Sequence, residues 1–181
     1  MEITNLSIAG LKRIRPTVYR DQRGFFFESY NEKRYLSAGI DCRFMQDNHS
    51  FSVKGTLRGL HYQSEPGQAK LIRVGRGRIF DVAVDLRPGS ATFGKWEGVY
   101  LDAESHEQFF IPVGFAHGYC VVSEQAEVLY KTSSLYNPAT ECSLKWNDPE
   151  IGVSWPISDP ILAERDLGAE SFADYRRRIA P

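Results

Sequence analysis

Between residues 80 and 86 the chain alternates, with Phe80, Val82, Val84 and Leu86 on one side and Asp81, Ala83 and Asp85 on the other. A period of two predicts a β-strand with one apolar face. Just upstream, 69–74 predicts a second strand, which runs into Gly75-Arg76-Gly77, a turn expected to fold the two into a hairpin. Shorter β-rich runs predict strands over 11–15, 25–30, 43–50, 56–63, 96–101, 107–111, 118–123 and 127–136. Helical signals are few. Asn31 is placed to cap a helix over 31–38 that Gly39 closes, and a second helix is expected over about 171–179. There is no internal repeat, low-complexity tract or linker, so the pattern predicts a single all-β domain over 1–181 with short peripheral helices.

Composition narrows the partners. A chain of 181 residues is long enough to bury a substantial core. Its formal net charge of −1 gives no bulk attraction to nucleic acid or anionic membrane. The expected partner is therefore a small molecule, with any anionic group held by local arginines. Met1-Glu2-Ile3-Thr4-Asn5 lacks the basic start and apolar run of a signal peptide, and no run suits a membrane span, so a cytoplasmic location is expected. Cys42, Cys120 and Cys142 are odd in number and form no Cys-x-x-Cys. They read as buried thiols without a chemical role.

Two histidines carry the candidate chemistry. His61 lies in Arg58-Gly59-Leu60-His61-Tyr62-Gln63, and His117 follows Pro112-Val113-Gly114-Phe115-Ala116. A metal-binding barrel strand presents ligands as His-x-His, because alternate side chains share a face. Here the second position is Gln63, an amide that binds transition metals poorly. Gly55 ahead of His61, and Pro112-x-Gly114-x-x-His117 after it, look like the two halves of the cupin motif, with the first half broken after its first histidine. An acidic fourth ligand is missing too, since Gly67 and Gln68 stand where it is wanted and Glu65 is too close. No metal is therefore expected, and general acid/base chemistry is the leading role for the imidazole. A hydrogen-bonded core histidine is the plain alternative. Arg58 and Lys70 nearby count against it, because cations are costly to place in an apolar core.

Further blocks carry a specific resemblance. Asp21-x-Arg23-Gly24-Phe25-Phe26, Gln46-Asp47-Asn48-His49-Ser50, Leu57-Arg58-Gly59-Leu60-His61-Tyr62-Gln63, Lys70-Leu71, Asp81-Val82-Ala83-Val84-Asp85-Leu86-Arg87, Ile111-Pro112-x-Gly114-Phe115-Ala116-His117-Gly118, Tyr130-Lys131 and Trp146-Asn147-Asp148-Pro149 are eight blocks in order. Together, over about residues 3–166, they resemble the dTDP-4-dehydrorhamnose 3,5-epimerase family. The resemblance implies a homodimeric cupin-type double-stranded β-helix, or jelly-roll barrel. It implies no cofactor, and a dTDP-sugar substrate, dTDP-4-dehydro-6-deoxy-D-glucose, on the way to dTDP-L-rhamnose.

The chemistry such a reaction needs matches the residue types. A 4-keto group acidifies the C–H bonds at C3 and C5, so inversion needs a base on one face, a group to hold the enolate and a proton donor on the other. His61 is the base. The resemblance implies that Asp166 orients its ring, that Lys70 holds the enolate oxygen and that Tyr130 donates the proton. It also implies ligand contacts from Arg23, Glu28, Gln46, Asn48, Arg58, His117, Glu141 and Arg165, with Tyr136 beside Tyr130 and the 23–28 segment reaching the partner subunit's pocket. Without the resemblance, Asp166 reads equally as a surface helix cap, Lys70 as a strand lysine, the tyrosines as packing aromatics, and Arg23 with Glu28 as a solvated ion pair. On an ideal strand Arg58 and His61 face opposite ways, and Gly59 is the position where a bulge would realign them. Arg165 stands where a lysine is expected. A C3-only or C5-only epimerase, a metal-dependent cupin enzyme and a non-catalytic sugar-nucleotide-binding cupin are the other readings.

Overall fold

The computed structural model describes residues 1–180. Two antiparallel sheets face each other. The first runs β1 (Glu2–Asn5), β2 (Lys12–Arg15), β10 (Gln108–Ile111), β7 (Lys70–Arg76), β12 (Gln125–Thr132), β5 (Gln46–Val53). The second runs β13 (Glu141–Ser143), β6 (Leu57–Gln63), β11 (Phe115–Val121), β8 (Arg78–Asp85), β9 (Trp96–Asp102). Strands β3 (Val18–Asp21) and β4 (Gly24–Phe27) form a hairpin apart from both, and the helices are α1 (Glu32–Ser37), α2 (Glu164–Leu167) and α3 (Phe172–Ile179). From β6 onward the chain repeatedly switches sheet, which gives the cupin-type jelly-roll barrel that the sequence predicts.

That switching corrects the expected hairpin at 75–77. Strand β7 pairs with β10 and β12, while β8 pairs with β11 and β9. Gly77 marks the crossing. It has φ +76°, and a Cβ there would lie 2.0 Å from the Gln125 carbonyl oxygen, so only glycine fits the passage.

The alternation in β8 has a different meaning from the one expected. Ile79 and Ala83 join Ile72, Val74, Phe109, Val99, Leu101 and Val128 in the core between the sheets. Phe80, Val82, Val84 and Leu86 pack into a second apolar layer with Leu144, Ile151, Phe172 and Tyr175 from the C-terminal segment. The strand is therefore buried on both faces, and Asp81 and Asp85 are as inaccessible as its valines. Each carboxylate is satisfied by hydrogen bonds, as buried charge requires: Asp85 accepts from Arg87, Ser90 and Thr92, and Asp81 contacts His117. Asp148 fixes the covering segment by accepting from the backbone N–H groups of Glu150, Ile151 and Phe172, the last at the start of α3.

The helix signals are realised by their caps. Asn31 accepts from the Arg34 N–H and Ser171 from the Asp174 N–H. The 127–136 strand is shorter than expected, ending at Thr132. There Ser133 hydrogen-bonds across to Ala69 through both its N–H and its hydroxyl, which turns the chain out of the ladder. Tyr136 consequently lies outside the strand, and its side chain is not placed by strand parity. Strands β1, β3 and β13 and helix α2 are short elements that the sequence pattern did not predict. Among the described residues no helix is long and apolar enough to cross a membrane.

Candidate active site

The barrel's two sheets bring the polar residues together. His61 on β6 and His117 on β11 are cross-strand partners in one sheet. In the facing sheet Lys70 is paired with Thr132 and Ile72 with Tyr130, so Lys70 and Tyr130 share one face. Between these walls lies a cavity of about 80 Å³, lined by His61, His117, Arg58 and Tyr119 from one sheet, by Lys70, Tyr130 and Ser50 from the other, and by Arg165.

Arg58 and His61 both reach this cavity because the ladder slips between them. Tyr119 stands opposite Arg58 and His117 opposite His61, two steps on β11 against three on β6. Gly59 permits the slip. Its φ is +123°, and a Cβ would lie 2.5 Å from the Gly118 Cα and 2.7 Å from the His117 carbonyl oxygen.

His61 Nε2 lies 2.6 Å from Asp166 Oδ1. A carboxylate only accepts, so Nε2 carries the proton, and in the neutral ring Nδ1 holds the free lone pair. Asp166, on the single turn of α2, is 3% exposed, which rules out its reading as a surface helix cap. A second pair stands beside the first, with His117 Nε2 2.9 and 3.1 Å from the two Asp81 oxygens. Burial lowers the pKa of His117, opposed by Asp81.

Lys70 is 7% exposed, and the one hydrogen bond of its ammonium is a long one of 3.4 Å to the His61 carbonyl. Among the described residues no carboxylate comes within ion-pair distance of it. Burial brings its pKa down to about 8, with Asp81 and Glu141 acting against the fall. The Tyr130 phenol is pushed up by burial and stays protonated. Tyr119 crosses from the histidine sheet to the opposite one, where its hydroxyl meets Ser50 Oγ at 2.9 Å.

Around the mouth the other expected residues form a linked rim. Arg165 Nη1 donates to Glu141 at 3.2 Å, and the Tyr136 hydroxyl donates to the same carboxylate at 3.0 Å. The Tyr136 N–H donates to Gln46, whose amide donates to Asn48, consistent with Gln46 and Asn48 sharing a face of β5. Arg58 is held by Ser52 at 3.1 Å. Arg23 and Glu28 are not brought to this cavity. Nor do they pair with each other: Arg23 is held by Asp21 at the hairpin turn and Glu28 by Arg34 of α1.

Asp81, Tyr119 and Ser50 belong to the site without having been expected there. Asp81 had a signal, an acidic residue in the middle of an otherwise core-forming strand. Gln63 is held by the 133–140 connection, donating to the Leu135 carbonyl and accepting from Thr140. Among the described residues no group of three or more His, Cys, Asp or Glu has metal-binding geometry. What the cavity offers is a carboxylate-oriented imidazole on one wall, and an ammonium with a phenol on the other. That arrangement suits proton abstraction next to a carbonyl and stabilisation of the resulting enolate.

Comparison with known proteins agrees with this chemistry. The family model for dTDP-4-dehydrorhamnose 3,5-epimerase matches residues 5–174. A dTDP-4-dehydrorhamnose 3,5-epimerase of Pseudomonas aeruginosa is 51% identical over 176 residues, 96% of this chain and 97% of that one. A dTDP-4-dehydrorhamnose 3-epimerase of Streptomyces niveus is 41% identical, covering 97% of this chain and 86% of that one. Among solved structures, the dTDP-6-deoxy-D-glucose-3,5-epimerase of Legionella pneumophila, in complex with dTDP-4-keto-L-rhamnose, superposes with a TM-score of 0.95. It is 47% identical, with 99% of this chain and 97% of that one covered. Family model, full-length relatives and superposed structure agree: the chain belongs to the dTDP-4-dehydrorhamnose 3,5-epimerase family.

Proposed function

We propose that this protein is a 3,5-epimerase of dTDP-4-dehydro-6-deoxy-D-glucose, giving dTDP-4-dehydro-L-rhamnose. The observation that carries the reading is the His61–Asp166 pair facing Lys70 and Tyr130 across one cavity. His61 Nδ1 removes the proton next to the C4 carbonyl, and Asp166 stabilises the imidazolium that forms. Lys70 holds the enolate oxygen. Tyr130 returns a proton from the opposite face, which inverts the carbon. Once His61 has released its proton to solvent and Tyr130 has regained one, repetition at the second carbon completes the reaction, and since only protons move, the steps call for no cofactor.

Remote contacts position the sugar. Arg58 and Arg165 suit the diphosphate, because a guanidinium fork can make paired bonds to phosphate oxygens. Arg165 does so while tied to Glu141. His117 faces the sugar, and Gln46, Asn48, Glu141 and Tyr136 form the mouth through which the nucleotide extends. Arg23 and Glu28 act in the pocket of a second copy, so the working form is a homodimer. In support, the β3–β4 hairpin joins neither main sheet and leaves Tyr19, Phe25 and Phe26 more than half exposed, a surface that invites cover. One domain, formed by the whole chain, carries the site.

The Streptomyces niveus relative favours a second reading, inversion at C3 alone. Product configuration separates the two. Purified protein given dTDP-4-dehydro-6-deoxy-D-glucose is expected to yield a sugar whose proton couplings report inversion at both C3 and C5. A product inverted only at C3 would replace the proposal with the narrower activity, and unchanged substrate would end both.

A further inference from the structure

The β3–β4 hairpin is tied to the barrel through one residue that the reaction does not use. His106, in the connection between β9 and β10, is 5% exposed. Its ring stacks on Phe27 with centroids 4.7 Å apart and meets Phe25 at 4.3 Å, so it is held against two side chains of β4. From β3, Arg20 points Nη2 at His106 Nε2, 3.4 Å away, and donates to the Glu104 carbonyl at 3.1 Å. His106 is also the one non-glycine residue with positive φ, +56°, among the described residues. The connection thus holds an uncommon backbone conformation that aims the ring at the hairpin.

The contact has a defined protonation state. Arginine can only donate, so Nε2 must be the unprotonated nitrogen and the ring neutral. Arg20 from β3 and Arg73 from β7 both oppose a charge on the ring, Asp102 at the end of β9 favours it, and the aromatic faces from β4 carry no titrating group. Burial and the two arginines together hold the pKa below its ordinary value of 6.5.

We infer that His106 is a positioning residue, a pH-sensitive clamp that sets the β3–β4 hairpin and through it the substrate contacts of Arg23 and Glu28. The inference rests on the proposed reading that these two residues reach a second copy's substrate. The direction of the pH effect follows from the neutral state. Docking is complete above the ordinary imidazole range, and it weakens as pH falls and the ring gains a charge beside Arg20.

Amide hydrogen exchange of the full-length protein tests the clamp directly. After correction for intrinsic rates, residues 18–27 are expected to lose protection between about pH 7.5 and about pH 5.5, while β7 and β8 keep theirs. His106→Asn removes the ring but tolerates positive φ, and it should produce the same loss already at the higher pH. In that variant KM should rise about tenfold with kcat nearly unchanged, and the rise in KM expected of the wild type at acid pH should vanish. Hairpin exchange indifferent to both pH and substitution would overturn the clamp. Exchange that responds while KM does not would leave the clamp standing and overturn the placement of Arg23 and Glu28 on a substrate.

Discussion

Lys70 is the residue whose chemistry depends most on its surroundings. In water its ammonium would stay charged far above neutrality, but burial brings the pKa to about 8. A group with a depressed pKa loses its charge as pH rises through that value, and only the charged form can hold an enolate. The expected outcome is a kcat that falls above about pH 8. Lys70→Arg should remove this alkaline fall while keeping part of the activity, because a guanidinium remains charged. Lys70→Met should lower kcat by about 10²–10³-fold at every pH. A steady-state kcat–pH profile of the three proteins checks both statements. At this scale the sequence was informative about residue types and silent about partners. His61 could be named from its own motif, and Lys70, Tyr130 and Asp166 only through the resemblance: Asp166 lies 105 residues from His61 along the chain, and no local pattern distinguished it from a surface cap. Tyr119 and Ser50 were hidden for a similar reason. Their contact crosses between sheets, from β11 to β5, and depends on the barrel having closed.

Among the elements, the β6–β11 ladder sets the site's geometry. Its slip at Gly59 turns Arg58 and His61 to one face, and the backbone of Gly118 leaves no room for a side chain there. Gly59→Ala should cost about 2–4 kcal/mol, seen as a lowered urea midpoint, because the obstructing atoms are backbone and cannot move aside. Whatever folded protein remains should lose activity through misplacement of His61. The bulge was legible as a conflict in strand parity, and glycine pointed to its place. Strand β8 was legible too, but the sheet it joined was not. Alternation reports which side chains share a face and says nothing about what covers that face. In this fold the C-terminal segment covers the apolar face, and the polar positions Asp81 and Asp85 turn inward to hydrogen-bond partners. The end of β12 was misjudged because Ser133, not a glycine or proline, ends the pairing by bonding back to Ala69.

For the whole molecule, the proposed homodimer would complete each site with residues of both copies. Arg23→Gln and His61→Asn variants should each be nearly inactive. After unfolding and refolding together they should recover about a quarter of wild-type activity, because half the dimers are mixed and each mixed dimer has one intact site. No recovery would place Arg23 outside the partner's pocket. Fold class was readable at this scale, since many short strands with few helices leave little besides a barrel or sandwich. The detached hairpin was not, because strands of four residues carry too little pattern to show where they pair. In the proposed reaction His61, oriented by Asp166, takes the protons flanking the 4-keto group. Deuterium uptake from heavy water into dTDP-4-dehydro-6-deoxy-D-glucose, followed by NMR at C3 and C5, measures that step directly. The wild type should label both carbons, with the rate falling by at least about 10²-fold in His61→Asn and substantially in Asp166→Asn. Labelling at the wild-type rate in His61→Asn would take the role of base from His61, and no labelling in the wild type at all would end the epimerase reading.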